Sequence, residues 1–279
     1  MTILLLLFSL IAHPPAIVAS CQEKYQIYST SDLREIEKEL ATLDSDSLVL
    51  FDVDSTLIVP DDAILRPPNE DFLEELLGGS MVQNLSTGPR YIFREILLNA
   101  THSLVDEESV SCIQRLQERG VPVMAFTAAP RGKVGRIASV ADWRIEELKR
   151  FGFDFSSTLS EKGVIELPKS DTKEFAPLFK SGILFASLHP KGDTLQKFLH
   201  AIEWTPKRVV LIDDQLEYVQ SVGKALESLK IPYTGFHYTA AQKLPCTLNR
   251  GVAQFQIRSF IEQGKWIDDV QAKEQSLSD

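Results

Sequence analysis

Four apolar residues run straight into two aspartates, Leu48-Val49-Leu50-Phe51 and then Asp52-Val53-Asp54, and no other stretch constrains this chain as much. The run is short, β-prone and bounded by polar residues, so it reads as a buried strand of a parallel sheet. Open α/β sheets bind ligands just beyond the carboxyl ends of their strands, and both aspartates fall at that end. Residues two apart on an extended chain point the same way, which would put Asp52 and Asp54 in one pocket. Past the strand end a loop would have to re-aim Asp54. Two close carboxylates repel unless a cation or a proton intervenes. A polar turn that merely closes a strand uses the same residue types, so the pattern needs support from the rest of the chain.

The stretch Asp52-Val53-Asp54-Ser55-Thr56 resembles the first motif, Asp-x-Asp-x-Thr, of the haloacid-dehalogenase-like (HAD) phosphohydrolase superfamily. Three further positions follow in order, each at an expected strand end. Residues 121–126 read as a strand ending at Thr127, which resembles the second motif, where a hydroxyl and nearby backbone N–H groups bind a phosphoryl oxygen. Lys191 adjoins Gly192 ahead of an amphipathic helix with Asp193 or Thr194 as N-cap, and resembles the third. Arg208-Val209-Val210-Leu211-Ile212 reads as a buried strand, and Asp213-Asp214 after it resemble the fourth. Taken singly, the last three have plainer readings: Thr127, Asp213 and Asp214 as helix caps, Lys191 as a solvated surface group.

The resemblance implies a Rossmann-like three-layer α/β/α core with an inserted helical cap. It also implies roles. Asp52 would be the nucleophile and Asp54 the general acid and base. Thr127 and Lys191 would bind a small phosphorylated substrate. Mg2+ would be held by Asp52, Asp214 and the Val53 or Asp54 backbone carbonyl, with Asp213 behind them holding Lys191. Dehalogenases of the superfamily lack the second aspartate and its ATPases carry Thr there, so Asp54 points to a phosphatase. The nearest branch it suggests is an uncharacterised exported bacterial group of HAD-like domains of unknown function; exported class C acid phosphatases resemble it at superfamily level. Two rival functions are a non-catalytic exported binding protein of the same fold, and a phosphotransferase or protein phosphatase.

The domain organisation expected from the pattern is as follows. Residues 1–20 read as a signal peptide and 21–46 as an N-terminal helical segment (Leu33, Ile36, Leu40 and Leu43 at helical spacing). Residues 47–58 and 107–262 form the core, 59–106 a helical cap, and 263–279 a frayed acidic tail. The cap segment carries Pro60, Pro67 and Pro68 and two helical patterns, with Arg66, Arg90 and Arg94 as its cations. In the core, helices are expected over 107–119 and 140–151, a strand from Phe153, and two strands at 163–168 and 182–187 that could pair as a hairpin. A strand at 233–237 and a helix through Ile257 and Phe260 end the fold.

A chain of 279 residues with 44% hydrophobic content has ample core for one domain and a cap. Its net charge of −10 argues against a general nucleic-acid binder. The apolar N-terminus is too short for a stable membrane helix and ends at Val18-Ala19-Ser20-Cys21, which suits signal peptidase or, with Cys21 lipidated, a lipobox. Export, with membrane anchoring through Cys21 as one form of it, is therefore expected. Cys112 and Cys246 read as small buried apolar residues, with a disulfide as the alternative. The sequence sets no oligomeric state.

Overall fold

Strand pleating sorts the core side chains into two sets. Leu48 and Leu50, Met124 and Phe126, Leu184, and Val209 and Leu211 face one side; Val49 and Phe51, Val123 and Ala125, Ile183 and Phe185, and Val210 and Ile212 face the other. Each set needs its own cover, so the sheet lies between two helical layers. The computed structural model describes residues 25–79 and 88–276; the expected signal peptide and Cys21 lie outside them.

The strands of the main sheet, in chain order, are β1 (Tyr25–Thr30), β2 (Ser47–Phe51), β5 (Val123–Thr127), β6 (Ile165–Glu166), β7 (Leu178–Lys180), β8 (Ile183–Phe185), β9 (Arg208–Asp213) and β10 (Tyr233–Tyr238), while β3 (Ile58–Pro60) and β4 (His102–Leu104) pair apart from it. The spatial order is β1-β10-β9-β2-β5-β8-β7-β6. Pairing is parallel from β1 through β8 and antiparallel at β8–β7 and β7–β6. One face is covered by α1 (Leu33–Leu40), α4 (Glu108–Glu118) and α5 (Val140–Arg150), and the other by α6 (Lys191–Ala201) and α7 (Leu216–Ser228). This is the three-layer α/β/α architecture expected from the sequence. Strand β2 sits between β5, the next sheet strand along the chain, and β9, reached only after the chain has run through β8 and crossed back. The switch in strand order therefore falls between β2 and β9, where α/β sheets open a crevice. Register then does the rest: Phe51 lies opposite Ile212, and the Asp52 N–H donates to the Ile212 carbonyl at 2.8 Å, so Asp52 and Asp213 emerge side by side.

Three expectations need correction. The N-terminal segment is not all helical: Tyr25–Thr30 is an edge strand parallel to β10, and helix α1 starts only after the Asp32 cap, whose carboxylate accepts the Arg34 N–H. Phe153 and Phe155 are buried and stacked but belong to no strand. Residues near 165 and 183 do not pair with each other; each pairs with Leu178–Lys180, a strand the sequence reading missed between them.

Residues 58–106, one residue more than the expected cap, hold the β3–β4 pair, α2 (Glu70–Gly78) and α3 (Pro89–Asn99). Ile64, Leu65, Phe72, Leu73, Ile92 and Ile96 make an apolar cluster separate from the two sheet faces. That cluster also takes in Ile257, Phe260 and Trp266 from α8 (Arg250–Gln263) and the segment after it. The tail is thus not frayed through its described length. Trp266 Nε1 donates to Asp62 Oδ2 at 2.7 Å, the Asp269 N–H donates to Asp62 Oδ1 at 2.8 Å, and helix α9 (Asp269–Ser276) follows with Ala272 buried. A buried carboxylate with two donors is a strong local anchor. It ties the C-terminal segment to the stretch that follows β3. Both remaining cysteines are free thiols: Cys112 is buried, and Cys246 accepts from Asn69 Nδ2 at 2.9 Å.

Candidate active site

The site forms where β2 and β9 end. On the pleat Asp52 continues the Leu48–Leu50 set and Asp213 the Val209–Leu211 set, so both face the α6/α7 layer. Lys191, the first residue of α6, meets them there. Its ammonium donates to Asp52 Oδ1 at 2.5 Å and to Asp213 Oδ2 at 2.6 Å, with no exposed surface. The rings of Phe126 and Tyr218 flank the same ammonium, 5.2 and 4.9 Å away. The helix begins at Lys191 itself, not at Asp193 or Thr194, and Pro190 precedes it. Two consecutive left-handed residues, Ser187 and Leu188, turn the chain out of β8 into this helix. Gly192 then allows α6 to lie against α7: a Cβ there would fall 2.3 Å from the Ser221 carbonyl oxygen.

Asp54 is handled differently. The chain leaves β2 in a tight turn, with the Leu57 and Ile58 N–H groups donating to the Val53 carbonyl and Ser55 at φ 61°. A non-glycine residue in that region marks a turn held in place by its surroundings. The turn re-aims Asp54 away from Lys191. Its Oδ1 accepts from Arg144 Nη2 at 2.7 Å, and Arg144 belongs to α5 in the opposite helical layer. The two carboxylates are therefore anchored from opposite faces of the sheet, yet both line one cleft.

That cleft encloses about 390 Å³. Asp52, Asp54, Asp214 and Tyr218 line it together with the apolar Leu65, Leu73, Phe93 and Leu97. Arg66 also lines it, its guanidinium held by the carbonyls of Pro60 at 2.9 Å and Pro245 at 2.8 Å. Arg90 lines a separate hollow between α2 and α3 with no site carboxylate in it. A larger surface hollow, about 550 Å³, lies between α6 and α7 and contains none of Asp52, Asp54, Asp213 or Asp214.

Carboxylate oxygens of Asp52, Asp213 and Asp214 all lie within 4.8 Å of one another. Burial pushes the Asp52 carboxyl well above its usual range; Lys191 opposes that, while Asp213, Asp214 and Asp54 add to it. Burial likewise raises Asp213, with Lys191 opposing. Asp214 is pushed up to about 7, by burial first and then by the charge of Asp213. Burial disfavours the Lys191 charge, but Asp213 and Asp52 outweigh it and hold the ammonium protonated. One lysine does not balance this many clustered carboxylates. An all-oxygen donor set with surplus negative charge is the set a hard divalent cation takes, so the residues present are compatible with such an ion.

The sequence-derived residues are thus mostly brought together: Asp52, Asp54, Lys191, Asp213 and Asp214 meet at one strand edge. Thr127 is not in the cleft lining. It is 1% exposed, its Oγ1 accepts the Ala129 N–H at 3.0 Å, and Ala128 lines the cleft instead. Two contributors were missed. Thr56 Oγ1 accepts the Asp214 N–H at 3.1 Å and so fixes the turn after β2 against the end of β9. Arg144 carried a signal that is visible in retrospect: it occupies the buried face of its helix, with Val140, Ala141, Ile145 and Leu148.

A three-layer α/β/α protein with an acidic, lysine-bridged site at the switch in strand order is the class this fold and site define. The family described as "Protein of unknown function (DUF2608)" matches residues 29–273, and the chain belongs to it. An uncharacterized protein of Rickettsia prowazekii (strain Madrid E) is 25% identical over 238 residues, covering 84% of both chains. A protein of Chlamydia trachomatis serovar D, named "Putative outer membrane protein", is 24% identical over 235 residues, covering 82% of this chain and 83% of its own. Among solved structures, a HAD-family hydrolase of Salmonella enterica subsp. enterica serovar Typhi matches 72% of this chain and 74% of its own at 12% identity and a TM-score of 0.34. Among the described residues no helix is long and apolar enough to cross a membrane.

Proposed function

We propose that the protein is an exported, Mg2+-dependent phosphohydrolase that cleaves phosphate monoesters through an aspartyl-phosphate on Asp52. The observation that carries this reading is the joining of Asp52 and Asp213 through buried Lys191, beside Asp214 and Asp54 in one cleft. Asp52, Asp214 and the Asp54 backbone carbonyl would hold Mg2+, with Asp213 behind them, since the Val53 carbonyl already accepts the Leu57 and Ile58 N–H groups; the ion would offset charge on the transferring phosphoryl group.

Each residue has a balanced task. An Asp52 oxygen attacks phosphorus as the bond to the leaving oxygen breaks, and Asp54 gives that oxygen its proton. Asp54, now a carboxylate, takes a proton from water. The water oxygen attacks the same phosphorus, releasing inorganic phosphate and the Asp52 carboxylate. Lys191 favours the Asp52 anion in a place where burial and the neighbouring carboxylates disfavour its charge. The apolar Leu65, Leu73, Phe93 and Leu97 would receive the organic part of the ester and limit water around it. Thr127 has no part in substrate binding in this reading: its carbonyl accepts the Ala186 N–H, its Oγ1 accepts the Ala129 N–H, and Ala128 stands at the cleft in its place. Export is supported by the apolar N-terminus and by the printed name of the chlamydial relative.

The direct test offers the purified protein a panel of phosphate monoesters with and without Mg2+, followed by rapid acid quench and mass spectrometry. Phosphate release with transient phosphorylation of Asp52 is expected. Product appearing on added acceptor alcohols in place of free phosphate would reassign it as a phosphotransferase. No turnover of any ester would leave a binding protein.

A second expectation concerns pH. Asp214 has its folded value raised to about 7 against about 3.9 unfolded. For a raised carboxyl the favourable contribution is full below the unfolded value and is lost as pH rises through the folded one. The metal-free protein should therefore lose this contribution as pH climbs through about 7. Mg2+ replaces the proton as the compensating charge, so the rise in melting temperature on adding Mg2+ should be larger at about pH 8 than at about pH 6. Calorimetry in buffers of different ionisation enthalpy should show proton release on Mg2+ binding near pH 7. An Mg2+ effect equal at both pH values, with no proton release, would contradict the assignment of Asp214.

A further inference from the structure

A buried chain of polar side chains runs from the cleft to the β3–β4 pair. Arg144 is 3% exposed; its Nη2 donates to Asp54 Oδ1, and its Nη1 pairs with Glu147 one turn along α5. Glu147 is 4% exposed and its Oε1 lies 3.1 Å from His102 Nδ1, on β4. The Trp143 ring lies 5.0 Å from the Arg144 guanidinium carbon. Burial disfavours the charge of Glu147, yet His102 and Arg144 outweigh it and its carboxyl sits below the usual range.

Taking a guanidinium out of water is costly unless it is paired. Glu147 takes Nη1 alone, and Nε has no hydrogen-bond partner. The remaining bond, from Nη2, goes to Asp54, a carboxylate that keeps 40% of its side-chain surface open and lines the cleft. Asp54 needs such a hold. Its turn lies beyond the end of β2, where no sheet register fixes it, and Lys191 on the other layer is already shared by Asp52 and Asp213. Glu147 and His102 in turn fix the guanidinium, and β4 pairs with β3, the strand that starts where the Asp54 turn closes. The brace therefore holds the turn from both of its ends.

We infer that Arg144, braced by Glu147 and His102, is a positioning residue for Asp54: it engages one carboxylate oxygen and leaves the other to carry the proton to and from the reacting oxygens. The inference rests on the phosphohydrolase reading. A carboxylic acid held by one oxygen cannot swing away from the leaving group, and a displacement of about 1 Å in such a group costs on the order of a hundredfold in rate.

The test is a double-mutant cycle between Arg144→Gln and Asp54→Asn, read on an aryl and an alkyl phosphate. Arg144→Gln is expected to lower kcat for the alkyl ester by roughly ten- to a hundredfold, to lower it much less for the aryl ester, and to leave KM nearly unchanged. On the Asp54→Asn background it should have almost no further effect, because the group it positions is gone. Arg144→Lys should recover part of the alkyl-ester rate. Because Arg144→Gln leaves Glu147 buried without its cation, Arg144→Gln with Glu147→Gln keeps the net charge of the site unchanged and serves if the single variant does not fold. Additive losses in the cycle, or equal losses for both esters, would overturn this role while leaving the phosphohydrolase reading intact. Wild-type protein that hydrolyses neither ester would overturn that reading, and this inference with it.

Discussion

Asp52→Asn should remove all measurable turnover with every phosphate ester, a loss of about 10⁴-fold or more, while the protein stays folded. The chemical reason is that an amide oxygen cannot form the acyl phosphate. The structural reason for expecting a folded variant is that the Asp52 carboxylate is a burden to the fold. It is 5% exposed, and burial with the charges of Asp213, Asp214 and Asp54 lifts its pKa despite Lys191. An isosteric amide removes that charge, and Lys191 retains Asp213 as its partner. The melting temperature at neutral pH should therefore hold steady or rise. Loss of activity with gain of stability is the pattern of a site where function is maintained against the fold.

Asp54→Asn makes the contrast. It keeps the nucleophile, so an aryl phosphate with a good leaving group should still phosphorylate Asp52. Hydrolysis of that intermediate lacks its base, and covalent phosphoprotein should accumulate. An alkyl ester needs the acid as well and should lose about 10²–10⁴-fold. Mass spectrometry after acid quench distinguishes the two variants: none with Asp52→Asn, accumulation with Asp54→Asn. Near-wild-type turnover by Asp52→Asn would end the aspartyl-phosphate mechanism for this protein.

What could be read in the sequence follows from how local each signal is. The strands at 48–51, 123–127 and 208–213 announce themselves as apolar runs, and carboxylates at their ends are placed by sheet topology alone. That is why Asp52, Asp213 and Asp214 were found. Lys191 was singled out because it stands just before an expected helix, beside Gly192, where it resembles the third motif; the helix starts at Lys191 itself, earlier than its caps suggested. Arg144 was not, because its neighbours Glu146, Lys149 and Arg150 make α5 look like an ordinary charged helix, and its partner Asp54 lies 90 residues away. Strand β1 was hidden by scale: its half-buried Tyr25 and Ile27 make a weak alternation beside the strong helical spacing of Leu33, Ile36 and Leu40. The tail misled for a related reason. Asp268 and Asp269 read as solvated charge, but Asp269 is held by Gln256 Nε2 and by the Ala63 N–H, and Trp266 by Asp62, none of them near in sequence except Gln256.

The second large effect is expected on stability rather than chemistry alone. Lys191→Met removes the ammonium between Asp52 and Asp213 and leaves two buried carboxylates without their cation. Breaking a buried ion pair from one side typically costs about 3–5 kcal/mol. At roughly 2–4 °C per kcal/mol for a chain of this size, the metal-free variant should melt about 6–20 °C below wild type. The pH dependence fixes the cause. Both carboxyl groups already have raised folded-state values, and losing Lys191 raises them further. A raised carboxyl contributes stability below its unfolded value and loses it as pH rises through the folded one. The deficit should therefore be largest in alkali and shrink on acidification, as the two groups take up protons. Adding Asp213→Asn to Lys191→Met removes a second buried charge and should restore much of the melting temperature, since a buried pair replaced on both sides is often close to neutral. Activity should not return, because Asp52 then has no ammonium to favour its anion against burial. A Lys191→Met protein as stable as wild type across this range would mean that the lysine does not neutralise the site, and the electrostatic account of the whole cluster would fail with it.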